Sequence, residues 1–166
     1  MSDIFKALCQ DTCNERKFGI CDDRPHQRAY IDTNEGAKWI AVINNPERIS
    51  VTFTAIDNCI ELRTAENKME DRCEGVLTYE NTIIFIEAKE RKSKKTKDWA
   101  KVADEQLRST ILSLSAKVAL DAYANKRAAI CNRLRTKNIE KHSVRIRKFY
   151  DETGYTLSVK NHIKIG

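Results

Sequence analysis

The sequence predicts an α/β fold of mixed helices and strands, in which helices flank a central mixed β-sheet. Two observations carry this prediction. Residues 83–86 (IIFI) are apolar on both faces, which is typical of a strand in the middle of a covered sheet. Residues 98–125 repeat apolar side chains at steps of three or four, which favours a long amphipathic helix that can cover such a strand.

Length and composition indicate a single domain that spans residues 1–166. The chain has 166 residues, of which 41% are hydrophobic, and this is enough material for one core. No run approaches the roughly 18 apolar residues of a membrane span, and the first residues lack the order of a signal peptide. We therefore expect a soluble, cytoplasmic protein, whose six cysteines are free thiols because the cytosol is reducing.

The first half of the chain contains one predicted helix and one predicted hairpin. Apolar residues at helical spacing follow Ser2, a favourable N-cap, and predict a short helix over residues 4–12. Residues 16–36 are polar and are expected to be irregular. Two β-branched and aromatic runs, 39–43 and 49–56, surround the turn-forming Asn44, Asn45 and Pro46, and this pattern predicts a hairpin.

The second half contains a second hairpin and its covering helix. Residues 73–79 and 82–89 are predicted strands joined by a turn at Glu80 and Asn81. The long helix is expected to begin at Asp98, its N-cap, and to reach about Asn125. An apolar run at 128–132 and strands at 144–150 and 155–165, joined by a turn containing Gly154, are expected beyond it. A strand, a covering helix and a returning strand make a parallel crossover, so the predicted sheet is mixed.

One Glu-X-Lys triplet stands out as a candidate for chemistry because of its position. The chain contains four triplets in which an acidic residue precedes a lysine by two positions, so the pattern alone is not specific. Only Glu87, Ala88 and Lys89 lie at the exit of a strongly apolar strand. Strand alternation is expected to place Glu87 and Lys89 on one face, together with Ile83 and Phe85.

The hairpin register predicts a partner for Glu87. If a two-residue turn pairs Tyr79 with Thr82, counting back along both strands places Glu74 opposite Glu87. Like charges at that separation are destabilising unless something offsets them, and a divalent cation such as Mg²⁺ would do so. The same count places Asp71 opposite Glu90 on the other face, and a bulge would reverse the choice between Glu74 and Asp71.

These residues resemble the PD-(D/E)XK nuclease superfamily in three pieces: an acid on the second strand (Glu74), Glu-X-Lys at the end of the third, and a glutamine on the following helix (Gln106). The resemblance implies a restriction-endonuclease-like core in the order αβββαβ and a nuclease that hydrolyses phosphodiester bonds of DNA or RNA. It also implies that Glu74, Glu87 and the Ala88 carbonyl bind Mg²⁺ or Mn²⁺, and that Lys89 assists the attacking water. In the family the first acid is more often aspartate after proline, whereas Glu74 follows Cys73. Some relatives carry an acid on the first helix, to which Glu15 is the nearest match.

The formal charge of +6 favours a polyanionic partner. The predicted nucleic-acid-binding residues are basic and follow the Glu87 strand or the long helix: Lys92, Lys94, Lys95, Lys97, Arg133 and Arg135. A homodimer or a protein partner is left open. Two alternatives to the enzyme remain: a non-catalytic interaction protein of the inhibitor or immunity type, and a nucleic-acid binder that does not cleave. In the interaction protein, Glu74 and Glu87 are solvated charges at strand ends, and Glu87 can pair with Lys89 or Arg72.

Overall fold

The computed structural model describes residues 7–23, 26–34, 36–61, 72–89, 99–132 and 142–166, which form ten strands and two α-helices. The strands are β1 (Gln10–Cys13), β2 (Lys17–Cys21), β3 (Tyr30–Asp32), β4 (Ala41–Asn44), β5 (Val51–Ala55), β6 (Gly75–Tyr79), β7 (Thr82–Lys89), β8 (Asn125–Asn132), β9 (Thr156–Val159) and β10 (His162–Lys164). The helices are α1 (Trp99–Ser115) and α2 (Ser143–Thr153). Neither helix is long and apolar enough to cross a membrane.

The strands form two sheets, and the larger one is mixed. Its spatial order is β1-β5-β6-β7-β8-β9. In this sheet β1 pairs with β5, β5 with β6 and β6 with β7, all antiparallel. Strand β8 runs parallel to both β7 and β9. The smaller sheet has the order β10-β4-β2-β3, and in it β10 runs parallel to β4. The predicted α/β class with a mixed sheet is confirmed, as is the parallel return of the chain from β7 through α1 to β8.

Residues of β7 alternate between two hydrophobic cores. Ile84 and Ile86 lie in the core between the two sheets, where Phe18 and Ile20 of β2 are fully buried. The second face of the large sheet is therefore covered by another sheet, and the expectation that helices flank it on both sides is wrong. The charged and polar residues around Phe18 and Ile20 hid β2 from the sequence pattern, and residues 16–36 contain β2 and β3 rather than irregular structure only.

The opposite face of the large sheet packs against the helices. Ile83 and Phe85 of β7 belong to this second core with Leu107 of α1 and Phe149 of α2. Burial of side chains this large contributes about 2 kcal/mol each. An ion-pair network adds to the contact between the helices, because Asp104 of α1 accepts from Arg108 and from Arg145 of α2.

The hairpin at β6 and β7 matches its prediction closely. Strand β7 has the predicted bounds, β6 begins two residues later than expected, and Tyr79 pairs with Thr82 across the turn. Glu80 adopts a left-handed backbone conformation, with φ of 47°, as tight hairpin turns require. The first helical residue is Trp99, and the predicted N-cap Asp98 lies outside the described residues.

The long helix ends ten residues earlier than predicted, at Ser115 rather than near Asn125. The amides of Lys117 and Val118 still bond to the Leu114 carbonyl, but the chain then turns away. Asn125 instead begins β8, where its backbone amide donates to the Asn81 carbonyl. Val118 packs on the same core as the helix, which explains why the apolar stripe continued past the helix end.

Two predicted strand arrangements are wrong because the chain changes sheets. The runs 39–43 and 49–56 are not a hairpin, since β4 belongs to the small sheet and β5 to the large one. The buried Asn45 side chain bonds to both the amide and the carbonyl of Ile49 and so fixes the crossing. Residues 155–165 likewise form β9 and β10 in separate sheets, and between them the Asn161 carbonyl accepts from Val42.

Residues 144–150 are helical, whereas a strand was predicted there. Phe149 is fully buried and Val144 is 75% exposed, so the segment faces the core with one side of a helix rather than on alternate residues. Gly154 ends α2 with φ of 79°, and its amide donates to the Tyr150 carbonyl. The glycine that was predicted to form a hairpin turn is therefore a helix C-cap.

The N-terminal part of the described chain carries a disulfide, so the expectation of six free thiols is wrong. Cys9 is bonded to Cys59, although 50 residues separate them. Pairing of β1 with β5 brings the two cysteines together, which no local pattern reveals. Cys9 ends a short 3-10 turn and β1 follows directly, so the predicted helix does not cover these residues. A disulfide is more usual in oxidising compartments and lends no support to the expected cytoplasmic location.

Candidate metal centre

The hairpin has the predicted register up to the residues next to Glu74 and Glu87. The ladder between β6 and β7 runs from the Tyr79–Thr82 pair to the Gly75–Ile86 pair. One further step along the same register would pair Glu74 with Glu87, but β6 begins at Gly75 and Glu74 lies at a bend just before it, so this pair stays a prediction. The Glu74 carbonyl accepts a hydrogen bond of 3.0 Å from the Ile56 amide.

Glu87 lies on the helix side of the large sheet. Ile83 and Phe85 lie in the core beneath the helices, and Glu87 follows them at the same alternation. Val76 belongs to the same core, and Glu74 precedes it by two residues. Cys73, the residue before Glu74, also belongs to this core, so alternation does not extend through Glu74 and the shared face stays a prediction.

The carboxylate pair is buried, which the sequence did not indicate. Glu74 is 2% exposed and Glu87 is 1% exposed. The Oε1 atom of Glu87 accepts a hydrogen bond of 2.9 Å from the amide of Ala88. Removing a carboxylate from water costs several kcal/mol unless neighbours offset the loss. Glu74 and Glu87 are therefore not solvated charges, and that part of the interaction-protein alternative is wrong.

The carboxylates raise the pKa of two neighbouring thiols, Cys73 and Cys131. Burial raises the pKa of Cys73 well above its ordinary value, and the carboxylates of Glu87 and Glu74 raise it further. Burial, followed by the charge of Glu87, raises the pKa of Cys131 to about 12. The charge of Glu87 thus acts on both thiols, and that of Glu74 acts on Cys73.

Helix α1 places two polar residues beside the strand that carries Glu74. The Thr110 hydroxyl accepts a hydrogen bond of 2.8 Å from the Cys73 amide. Half-buried Gln106, one helical turn earlier, lies 3.5 Å from the Arg72 carbonyl through Nε2. Gln106 therefore lies near the acidic strand, as the sequence predicted. This contact is with the backbone.

The remaining predicted residues do not all lie near the carboxylate pair, and several lie outside the described part of the chain. The backbone of Lys89 pairs with Asn132, and Ala88 is 5% exposed and pairs with Cys131. Glu15 is exposed and lies 3.9 Å from Arg48, away from the carboxylate pair. Several predicted residues lie outside the described part of the chain: Asp71, Glu90, Lys92, Lys94, Lys95, Lys97, Arg133 and Arg135. Arg72 forms an ion pair of 3.3 Å with Asp57.

Asn132 is a polar residue of this edge that the sequence argument missed. It ends β8, is 2% exposed, and follows Ile130, which pairs with Glu87, by two residues. The backbone amide of Asn132 donates to the side-chain oxygen of Asn161 over 2.8 Å. The signal was available in principle, because parallel strands end at the same edge and an asparagine after an apolar run is a candidate oxygen ligand there.

The donor set fits a hard cation with few protein ligands. In the described part of the chain, no group of three or more His, Cys, Asp or Glu residues could hold a metal ion. Two carboxylates and a backbone carbonyl are nevertheless a set that suits Mg²⁺, which commonly keeps several waters and is bound through one or two carboxylates. Glu74, Glu87 and the Ala88 carbonyl are the residues that could hold it.

Comparisons with protein-family models, with curated proteins and with solved structures find no match. The fold and the site together define a class: a mixed α/β protein with a buried carboxylate pair at the edge of its large sheet.

Proposed function

We propose that the chain is a divalent-metal-dependent nuclease that hydrolyses phosphodiester bonds of DNA, or of RNA, in the manner of the PD-(D/E)XK superfamily. One observation carries the proposal. Glu74 and Glu87 are both buried, and the β6–β7 register, continued one step past the Gly75–Ile86 pair, would place them opposite each other. Two like charges held this close need a compensating charge, and Mg²⁺ or Mn²⁺ would supply it.

The order of elements around the pair also supports the proposal. Strands β5, β6 and β7 form an antiparallel meander, α1 follows, and β8 returns parallel to β7. This reproduces the last five elements of the αβββαβ order of a restriction-endonuclease-like core. The described residues contain no α-helix before β5, and a second sheet covers the face beyond Ile84 and Ile86. The likeness to that core is therefore limited to the central elements.

The proposed roles follow from the positions of the residues. When bound, a divalent cation lowers the pKa of a coordinated water and polarises the phosphoryl oxygen. Glu74, Glu87 and the Ala88 carbonyl hold and orient the cation. Lys89, two residues after Glu87, orients or deprotonates the attacking water and stabilises the negative charge that develops on the phosphate. Gln106 positions water or phosphate from α1.

Nucleic acid is the proposed partner because of the net charge of +6. The candidate contacts with the phosphate backbone remain Lys92, Lys94, Lys95, Lys97, Arg133 and Arg135. We propose action in the cytoplasm, and a homodimer or a second protein would supply any sequence specificity, since neither the charge pattern nor the carboxylate pair reads bases.

Burial of the pair favours a second candidate function, a non-catalytic interaction protein of the inhibitor or immunity type. A phosphate oxygen can share a cation with Glu87 only if it reaches a carboxylate that is 1% exposed. Catalysis therefore requires the residues around Glu74 and Glu87 to shift when substrate binds. A protein that only presents its surface to a partner requires no such movement.

A cleavage assay separates the two candidates. Wild type, Glu74→Gln, Glu87→Gln and Lys89→Ala are incubated with single- and double-stranded DNA and with RNA, in Mg²⁺, Mn²⁺ or EDTA. Glu105→Gln is the matched control, because Glu105 is an exposed carboxylate on α1. We expect cleavage by wild type and the control in Mg²⁺ or Mn²⁺ only, and a loss of at least about a hundredfold in the three site variants. Inactive wild type on every substrate would reject the nuclease and leave the interaction protein.

A binding measurement addresses the third reading, a nucleic-acid binder that does not cleave. The affinity of wild type and Glu87→Ala for a DNA duplex is measured over a series of salt concentrations in EDTA. A site carboxylate repels the phosphate, so its removal strengthens binding in a nuclease. Salt-dependent binding that is the same in both proteins, without cleavage in Mg²⁺ or Mn²⁺, supports the simple binder.

A further inference from the structure

A groove lies where β7 and β8 begin, at the end of β7 that is opposite to Glu87. It forms where the β6–β7 turn meets the starts of β8 and β9 and the end of α2, and its volume is about 730 Å³. That volume is typical of sites for small ligands. Thr82 lines the groove, and Glu87 is five residues further along β7, which corresponds to about 16 Å. The groove is thus separate from the candidate metal centre.

Cationic side chains dominate the lining of the groove. Lys126 and Arg127 of β8 and Lys164 of β10 contribute three positive charges, and Glu80 is the acidic side chain in the described lining. The basic residues come from two strands in different sheets, so the fold rather than a local charge run brings them together. This combination favours an anionic ligand.

Two of the cations are held in ways that suit phosphate. Nη1 of Arg127 donates to the Lys164 carbonyl over 3.0 Å and lies 3.4 Å from the Tyr79 hydroxyl, which fixes the plane of the guanidinium. The Lys126 ammonium pairs with Asp121 over 2.6 Å, but the Asp121 side chain is 97% exposed. An ion pair so open to water is weak, and a phosphate can replace the carboxylate.

An aromatic ring completes the groove. Tyr150, on the last turn of α2, lines it and is 56% exposed, which is unusual for a large side chain in this protein. The left-handed backbone at Gly154 turns the chain directly after the helix, and no atom lies within 4 Å of the position that a Cβ would take there. An exposed ring beside several cations can stack on a nucleobase while the cations hold its phosphate.

We propose that this groove binds a nucleotide, with the base against Tyr150 on the side of Lys126 and the phosphate at the Arg127 guanidinium, beside Lys164. The nucleotide is either free or one unit of a single strand, since both present the same base and phosphate. A bare phosphate uses the cations but not the ring. A nucleotide uses both, and for this reason it fits the groove better than an inorganic anion.

The test is a set of calorimetric titrations of the full chain with three probes: AMP, ribose 5-phosphate and a short oligothymidylate. Variants are Tyr150→Ala, Tyr150→Phe and Lys164→Ala, all at exposed positions, with Lys160→Ala as the control because Lys160 is exposed and lies outside the groove lining. Thermal unfolding of each variant verifies that it is folded. Glu87→Gln is included to show that the groove acts independently of the metal centre.

We expect AMP or the oligothymidylate to bind more tightly than ribose 5-phosphate. Tyr150→Ala and Lys164→Ala should each weaken binding at least about fivefold, whereas Tyr150→Phe, Lys160→Ala and Glu87→Gln should leave it unchanged. Tighter binding of AMP identifies a free nucleotide as the ligand, and tighter binding of the oligothymidylate identifies a single strand. The proposal is overturned if neither probe binds, if ribose 5-phosphate binds as tightly as they do, or if Tyr150→Ala and Lys164→Ala bind like wild type.

Discussion

Replacing Glu87 by glutamine isolates the charge of the candidate metal centre from its shape. Glutamine has nearly the same volume as glutamate and retains a carbonyl oxygen. The hydrogen bond of 2.9 Å from the Ala88 amide to Oε1 can therefore persist. What the variant loses is the negative charge of Glu87, which the continued register of β6 and β7 would place opposite that of Glu74. Any change in stability then reports the interaction of that charge with its surroundings.

The expected effect of Glu87→Gln without metal is stabilisation. At a separation of about 5 Å and an effective dielectric constant of about 20, two like charges repel each other by about 3 kcal/mol. Interactions of each carboxylate with other neighbours reduce this figure, so we expect the free energy of unfolding to rise by about 1–3 kcal/mol. For a protein of this size, that corresponds to an increase in Tm of roughly 2–10 °C.

The assay is thermal and urea unfolding of wild type, Glu87→Gln and the control Glu105→Gln, each in EDTA and in excess Mg²⁺. Mg²⁺ should stabilise wild type and the control by mass action and should stabilise Glu87→Gln much less. The reasoning is refuted if Glu87→Gln is less stable than wild type in EDTA by 1 kcal/mol or more. That result would mean that the Glu87 carboxylate belongs to a favourable buried ion pair, whose loss typically costs about 3–5 kcal/mol.

Three further predictions test the fold around the site. Burial would raise the pKa of Asp11, but its hydrogen bonds with Arg28 and the Ile31 amide hold it below its ordinary value. Asp11→Asn should therefore lose up to about 1 kcal/mol of stability at pH 7, and the difference from wild type should vanish as pH falls below about 4 in urea titrations. Gly19→Ala should cost at least about 2 kcal/mol, because a Cβ would lie 2.0 Å from Trp39 Cγ, whereas Gly36→Ala, with 3.8 Å, should be nearly neutral. Thiol titration in denaturant should find four free cysteines, and six only after reduction.

The sequence was sufficient for the parts of the fold that depend on local pattern. The turn at Glu80 and the continuous apolar run of β7 determine the hairpin and its register from the Tyr79–Thr82 pair to the Gly75–Ile86 pair. The amphipathic stripe also located α1. These features follow from the alternation of strands and the periodicity of helices, both of which are visible along a single chain.

Other features depend on contacts between distant residues, and the sequence did not reveal them. The disulfide of Cys9 and Cys59 and the second sheet arise from pairing across the fold. Helix α2 was read as a strand because Val144 is apolar yet exposed. The burial of Glu87 depends on how completely α1 and the neighbouring strands cover the edge of the sheet, which no count along the chain can supply.

The central claim is that Glu74 and Glu87 share one divalent cation, and direct Mn²⁺ binding tests it. Mn²⁺ is titrated into the protein, and the free ion is counted by electron paramagnetic resonance, for wild type, Glu74→Gln, Glu87→Gln and Glu105→Gln. We predict one Mn²⁺ per chain in wild type and in Glu105→Gln, with at least about tenfold weaker binding in the other two variants. Wild type that binds no Mn²⁺, or variants at Glu74 and Glu87 that bind it as tightly as wild type, would contradict the claim.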